Sequence, residues 1–433
     1  MTVASVELTF ITAASILLIG FLGEAMFRKT GVPSIPFLIV LGILLATFAP
    51  AYFSSVTLAP VTPHLITLAL IMILFHGGME MDLGKAFGQS GRATLLAVTY
   101  FLLVTAGVTL AARFFLNYDW TSSLLFGPMI AGTSSVVIIP LARKVGLRED
   151  TSLTISLEST ITDVLNIVVF FALIAIYYGR SDGLLDTFQE IAAKFGVGLL
   201  LGFFVGVAWL AVLYRIRREE YTYIPTLAIA IFLYFGSETL GGSGVLSVLT
   251  MGLVLGNDEH IARFVRLRLD PKEFADLRRY LTRFQSELSF LIRAFFFVFL
   301  GVLFNPSADT ILFGLFFGAL FVGINLTLRY VAVLVATVRS PMAVDRVPMT
   351  LLCGQGLAHA TLAVLAAQPG PFGVGNPDYP VIVLMVVIIT NVITAFGAYA
   401  AARRPGARPR VAEVALAEGL PSPPPPPEEQ RLV

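Results

Sequence analysis

Residues 126–135 read Phe126-Gly127-Pro128-Met129-Ile130-Ala131-Gly132-Thr133-Ser134-Ser135, with Pro140 close behind, and residues 353–361 read Cys353-Gly354-Gln355-Gly356-Leu357-Ala358-His359-Ala360-Thr361. Both stretches lie inside long apolar runs. Glycine and small hydroxyl residues there permit local unwinding, which exposes backbone carbonyls and helix-end dipoles to an ion. Small residues also let helices pack closely, so one such stretch alone has a plain alternative. Two of them at corresponding places in the chain favour unwinding.

The apolar runs are the rule in this chain. Of its 433 residues 57% are apolar and 13% charged, with a mean hydropathy of +0.85. Soluble domains carry about 25% charged residues, so lipid must be the main solvent. A net charge of +1 gives no reason to expect nucleic acid. The one cysteine, Cys353, excludes an intramolecular disulfide and a cysteine-rich metal site. Met1 to Glu7 lacks a basic leader region, so the first run reads as a span and not as a cleaved signal.

Windows of about 19 residues place thirteen helical spans, at 6–27, 33–50, 62–82, 92–115, 121–142, 151–178, 186–214, 222–238, 242–256, 284–305, 309–338, 346–367 and 379–402. With the first connection (Arg28, Lys29) cytoplasmic, all but five of the 29 Lys and Arg fall on that side. Arg113, Arg180 and Lys194 fall on the other, and Arg293 and Arg329 lie within spans. That asymmetry predicts an outside N-terminus and a cytoplasmic C-terminus in the cell membrane. Residues 403–433, rich in Arg and then Pro, read as a disordered cytoplasmic tail.

Spans 3 to 6 recur as spans 10 to 13 after a shift of about 220 residues, and spans 1 and 2 match 8 and 9 more loosely. Six spans (about 6–178), a linker span (about 186–214) and six more (about 222–402) give two inverted repeats. The predicted fold is an all-α polytopic membrane domain over 1–402, with the discontinuous fifth and twelfth spans crossing.

The sixth span carries Leu157-Glu158-Ser159-Thr160-Ile161-Thr162-Asp163-Val164-Leu165. A carboxylate near the bilayer centre costs at least a few kcal/mol unless partnered or protonated. Helical spacing puts Ser159, Thr162 and Asp163 on one face. Glu158 lies about 100° away and needs another partner, for which Arg329 in the eleventh span is suited by charge and fork geometry. Asp163 is then left to exchange a proton for a cation. A static buried network of all three charges is the alternative. His359 suits a satisfied core histidine as well as a pathway residue, and Asn391, near the place of Asp163 in the second repeat, can hydrogen-bond across the crossing. His76, ending the third span, reads as interfacial or capping, and Arg293 as paired with another helix.

With Glu158-Ser159-x-x-Thr162-Asp163, Leu326-Thr327-Leu328-Arg329, Phe75-His76-Gly77-Gly78-Met79-Glu80 and Phe297-Val298-Phe299-Leu300-Gly301 in view, nearly all of 1–402 resembles the monovalent cation–proton antiporters. The nearest resemblance is to the NhaP-type Na+/H+ exchangers. It implies that Asp163 binds cation or proton, that Ser159 adds an oxygen, that Glu158 pairs with Arg329, and that Thr133 and Ser134 supply oxygens from the fifth span. It also implies a homodimer. Three departures stand out. Thr162 replaces an asparagine, His76 replaces an acid common at that position, and Gly132-Thr133-Ser134-Ser135 lacks the family aspartate and resembles Kef-like K+ systems.

The function this predicts is exchange of Na+ (Li+ tolerated) for H+, electroneutral because one carboxylate carries either one proton or one cation. K+/H+ exchange is the nearest alternative; a cation channel or a non-transporting membrane protein belongs to a different class. No cofactor and no metal beyond the transported cation is expected, and no nucleotide loop, metal-ligand spacing or nucleophile with a base suggests an enzyme.

Overall fold

The computed structural model describes residues 14–23, 25–26, 33–50, 53, 62–80, 91–178, 184–216, 223–264, 290–302, 308–370 and 373–402. The tail at 403–433, and the first residues of the first and tenth expected spans, lie outside the described residues. The helices are α1 (Ala14–Gly23), α2 (Ile35–Phe48), α3 (Thr62–Glu80), α4 (Gly91–Phe115), α5 (Trp120–Ile130), α6 (Ser135–Lys144), α7 (Glu149–Tyr178), α8 (Leu184–Arg215), α9 (Tyr223–Thr239), α10 (Gly244–Gly256) and α11 (Asp258–Phe264). They continue with α12 (Phe290–Val302), α13 (Ala308–Ala336), α14 (Arg346–Leu351), α15 (Leu357–Ala367) and α16 (Asp378–Ala402).

Six stretches among the described residues are long and apolar enough to cross a membrane: Gly91–Phe115, Trp120–Ala142, Glu149–Tyr178, Ala192–Arg215, Asp309–Ala336 and Asp378–Ala402. The other expected spans hold shorter apolar helices. Two features are additional to the expected spans. A short helix, α11, follows α10, and a two-stranded antiparallel hairpin, β1 (Pro369–Gly370) with β2 (Gly373–Val374), follows α15.

Large apolar side chains cover the outside. Phe204, Phe232, Phe316 and Phe396 are 63%, 76%, 67% and 70% exposed, an arrangement that water would penalise and lipid does not. Inside, the helices form two groups. In the first, α4 packs along α13 and α5, α13 along α16, and α7 along α4, α5 and α6. In the second, α10 is the centre, with α3, α8 and α9 around it. Helix α12 packs on α1, where Gly20 meets Ala294, and on α2, where Gly42 meets Val298. Among the described residues the two groups meet where α3 touches α7 and α15 and where α8 touches α7, while α2 touches α16.

Candidate ion-binding site at the crossing

Both expected interruptions are present. Helix α5 stops at Ile130 because Ala131 turns extended (φ −71°, ψ 142°) and Gly132 enters the left-handed region at φ 92°. A side chain at 132 would also collide, since its Cβ would lie 2.8 Å from Thr162 Cβ and 2.9 Å from Asn166 Nδ2. Conformation and space both require glycine there. In the partner span α14 ends at Leu351 and α15 restarts at Leu357. A Cβ on Gly356 would sit 2.5 Å from Ser134 Oγ, and the Ser134 N–H donates to Gly354 O at 2.9 Å. The two breaks therefore touch.

Breaking two helices in apolar surroundings leaves four ends whose backbone groups need partners. At the end of α5, Ile130 O accepts from Asn325 Nδ2 at 2.9 Å and from Gln355 Nε2, and the Tyr100 hydroxyl lies 3.1 Å from Gly132 O. At the end of α14, Arg329 donates from Nε to Met349 O (2.9 Å) and from a terminal nitrogen to Leu352 O (3.0 Å). At the start of α6, Asp163 Oδ2 accepts the Ser135 N–H at 2.9 Å. At the start of α15, the Gly356 N–H points to His359 Nδ1 at 3.4 Å. A carboxylate thus meets a positive helix end and a guanidinium a negative one, the favourable sense in both cases.

Arg329 is fully buried, as is Glu158. Its two terminal nitrogens fork onto the Glu158 carboxylate at 3.2 and 3.0 Å, and its Cζ lies 4.6 Å from the centre of the Tyr100 ring. Thr133 Oγ1 donates to Glu158 Oε1 at 3.2 Å. Glu158 therefore has both oxygens engaged with no exposure to solvent.

Asp163, five residues further along α7, is half-buried and lines a cavity with about 50 Å³ open to water, room for a few water molecules. The cavity sits in the joint between the two helix groups. Ser134 and Ser135 of the crossing share its wall with Asp163, and His76 of α3 and Arg293 of α12 also line it.

The remaining expected site residues fall elsewhere. Ser159 is fully buried and its hydroxyl donates back to Ser156 O at 2.9 Å. Thr162 Oγ1 accepts the Thr133 N–H at 3.3 Å and lies 3.2 Å from Ser159 O. Thr133 is spent on Glu158. These three are not on the cavity wall, so helical spacing grouped hydroxyls that packing separates. His359 is buried in the first group, its Nε2 3.2 Å from Asn166 Nδ2, with the carbonyls of Ala131 and Gly132 against its ring. Asn391 Nδ2 donates to Gln355 O and Val387 O, both at 2.7 Å, which ties α16 to the second break. Beside it, the Cys353 N–H donates to Thr394 Oγ1 at 3.1 Å and the thiol is buried. His76, in the last turns of α3, lies on the cavity wall. Tyr100, Asn325, Gln355 and Asn166 were not among the expected residues; their signal was a polar group within an apolar span.

A profile of the family described as "Sodium/hydrogen exchanger, transmembrane" matches residues 13–398. The chain is 27% identical over 352 residues to "Probable Na(+)/H(+) antiporter 2" of Methanocaldococcus jannaschii, a match covering 78% of this chain and 79% of that one. It is 28% identical over 260 residues to "K(+)/H(+) antiporter NhaP2" of Shewanella oneidensis, covering 58% of this chain and only 44% of that relative. The solved structure of the sodium proton antiporter MjNhaP1 from M. jannaschii at pH 8 superimposes with a TM-score of 0.71 at 22% identity, over 93% of this chain and 98% of that one. At that identity the likeness speaks for the fold.

Proposed function

The chain belongs to the transmembrane sodium/hydrogen exchanger family, so its work is exchange of a monovalent cation for H+ across a membrane, and we propose that the cation is Na+ (Li+ tolerated) and that it competes with the proton for Asp163. One contrast carries the reading. Glu158 is buried and held on both oxygens, whereas Asp163, on the same helix, reaches a water-sized cavity. A carboxylate with access to water can trade a proton for a cation; one locked to a guanidinium cannot. Ser134 on the same wall offers an oxygen beside it. Thr133, Thr162 and Ser159 act on this reading as supports, fixing the break around the carboxylate, with His359 and Asn391 bracing the second break.

With Thr162 neutral and Arg329 permanently charged, one carboxylate carries one H+ or one cation, so exchange is 1:1 and electroneutral. Alternating access follows from the two helix groups, the crossing group sliding against the other where they meet and carrying Asp163 with it. The charge asymmetry supports an outside N-terminus and a cytoplasmic C-terminus. Ile35 begins α2, Gly77 is near the end of α3, and Val137 is early in α6. In that orientation the cavity faces the cytoplasm. The inverted repeats at about 6–178 and 222–402, the linker at about 186–214, and a homodimer in the lipid bilayer complete the reading, the dimer by resemblance.

K+ in place of Na+ is the second reading. The Shewanella relative is named a K+/H+ antiporter, and Gly132-Thr133-Ser134-Ser135 carries no acid. Everted vesicles holding a preset pH gradient decide between them: the cation that collapses the gradient is the substrate. Asp163→Asn should abolish the collapse. Transport at the parental rate in that variant would remove Asp163 from the site, and flux that follows an imposed membrane potential would remove the 1:1 stoichiometry.

A further inference from the structure

We propose that Gln355 is a positioning residue for the cation site, setting the Ser134–Ser135 turn against Asp163 from the second break without touching the ion. This rests on the antiport reading. The breaks are joined by the Ser134 N–H, which donates to Gly354 O at 2.9 Å, and by the Gln355 side-chain amide, which donates to Ile130 O. Gln355 is itself fixed through its backbone. Its N–H donates to Thr390 Oγ1 at 3.3 Å, and its carbonyl accepts from Asn391 Nδ2 at 2.7 Å. Gln355, Thr390 and Asn391 are all fully buried. The residue is thus a bracket from α16 through the second break to the end of α5.

From Ile130 the chain runs through extended Ala131 and left-handed Gly132 to Ser134 and Ser135. Those two serines line the cavity with Asp163, and the Ser135 N–H donates to Asp163 Oδ2 at 2.9 Å. Holding Ile130 O therefore sets where that donor and Ser134 stand relative to the carboxylate. Gln355 is not on the cavity wall, so it acts through this backbone. The carbonyl does not need Gln355 for satisfaction, since Asn325 Nδ2 also donates to Ile130 O at 2.9 Å. Nor does the amide favour stability. Its Oε1 is buried with no hydrogen-bond partner among the described residues, and a bare buried acceptor costs free energy. A donor that its acceptor can spare, on an amide only half satisfied, contributes position. It ties α5 to the second break, whereas Asn325 ties α5 to α13.

The test uses the full chain in everted vesicles under a preset pH gradient, with Na+ and K+ each titrated to give KM and maximal rate, and thermal melts in detergent alongside. Gln355→Leu removes the donor but leaves Ile130 O to Asn325, so it should fold and melt no lower than the parent. Its KM for the transported cation should rise roughly tenfold, with the maximal rate per folded protein within about twofold of the parent. Gln355→Glu, assayed at the acid end of the range where burial keeps the introduced carboxyl protonated, gives Ile130 O one donor back. At that pH its KM should return close to the parent's. An unchanged KM in Gln355→Leu would overturn the proposal, as would equal rises in both variants. A fall in maximal rate at unchanged KM, or failure of both variants to fold, would mark a purely structural role and overturn it too. A parent that exchanges neither cation would overturn the antiport reading itself, and this proposal with it.

Discussion

The two acidic residues of α7 stand in very different surroundings. Glu158 and Asp163 are five residues apart, yet Glu158 is fully buried against Arg329 and Asp163 is half-buried on the wall of the cavity. Removing the partner from a buried pair leaves an uncompensated charge, which costs about 3–5 kcal/mol. Arg329→Ala should therefore lower stability by that order, and it also frees Met349 O and Leu352 O at the end of α14. Thermal melts in detergent should show a large loss for Arg329→Ala and a much smaller one for Asp163→Asn; similar losses would contradict the division of roles. The ion pair was legible in the sequence because only a few charges sit within apolar spans and charge demands charge. The fate of the hydroxyls was not. Spacing put Ser159 and Thr162 on the face of Asp163, but a serine or threonine in a helix can bond back to the preceding turn, as Ser159 does to Ser156 O.

Element by element, the spans and both interruptions were readable from apolar runs and from glycine where helix should continue. Which side chains would serve the broken ends was not readable, because the partners of Ile130 O come from Asn325 and Gln355, 195 and 225 residues away. One helix start was settled locally. Asp119 caps α5, its Oδ2 accepting the N–H groups of Thr121 and Ser122 at 2.9 and 3.1 Å. Partial burial pushes its carboxyl up, but the Ser122 and Thr121 donors outweigh that and hold it below the usual carboxylate value. A depressed folded-state value means the cap stabilises at neutral pH, and that the benefit is lost as pH falls through the lowered value. Asp119→Ala should cost about 1 kcal/mol at pH 7, and the gap from the parent should close under strongly acidic conditions. A gap that stays constant from pH 7 into the acid range would show that packing, and not the cap, accounts for the loss.

At the scale of the whole molecule, spacing suggested two inverted repeats but said nothing of the division into a crossing group and a surrounding group. That division cuts across sequence order: α4 to α7 join α13 to α16, so only packing reveals it. Sliding of one group past the other leaves the interior of each unchanged. The one thiol of the chain, Cys353, lies inside the crossing group beside Thr394. It should react slowly with a membrane-permeant maleimide at any Na+ concentration or pH that leaves the protein folded, and quickly after denaturation. Labelling that accelerates when Na+ is added would mean that the crossing itself opens during transport, contrary to rigid sliding. The same burial makes the natural chain nearly silent to thiol reagents. A cysteine introduced on either wall of the joint, for example at Ile35 or Val137, would then report exposure from one side of the membrane with almost no background, and the direction each state faces could be read by chemical labelling.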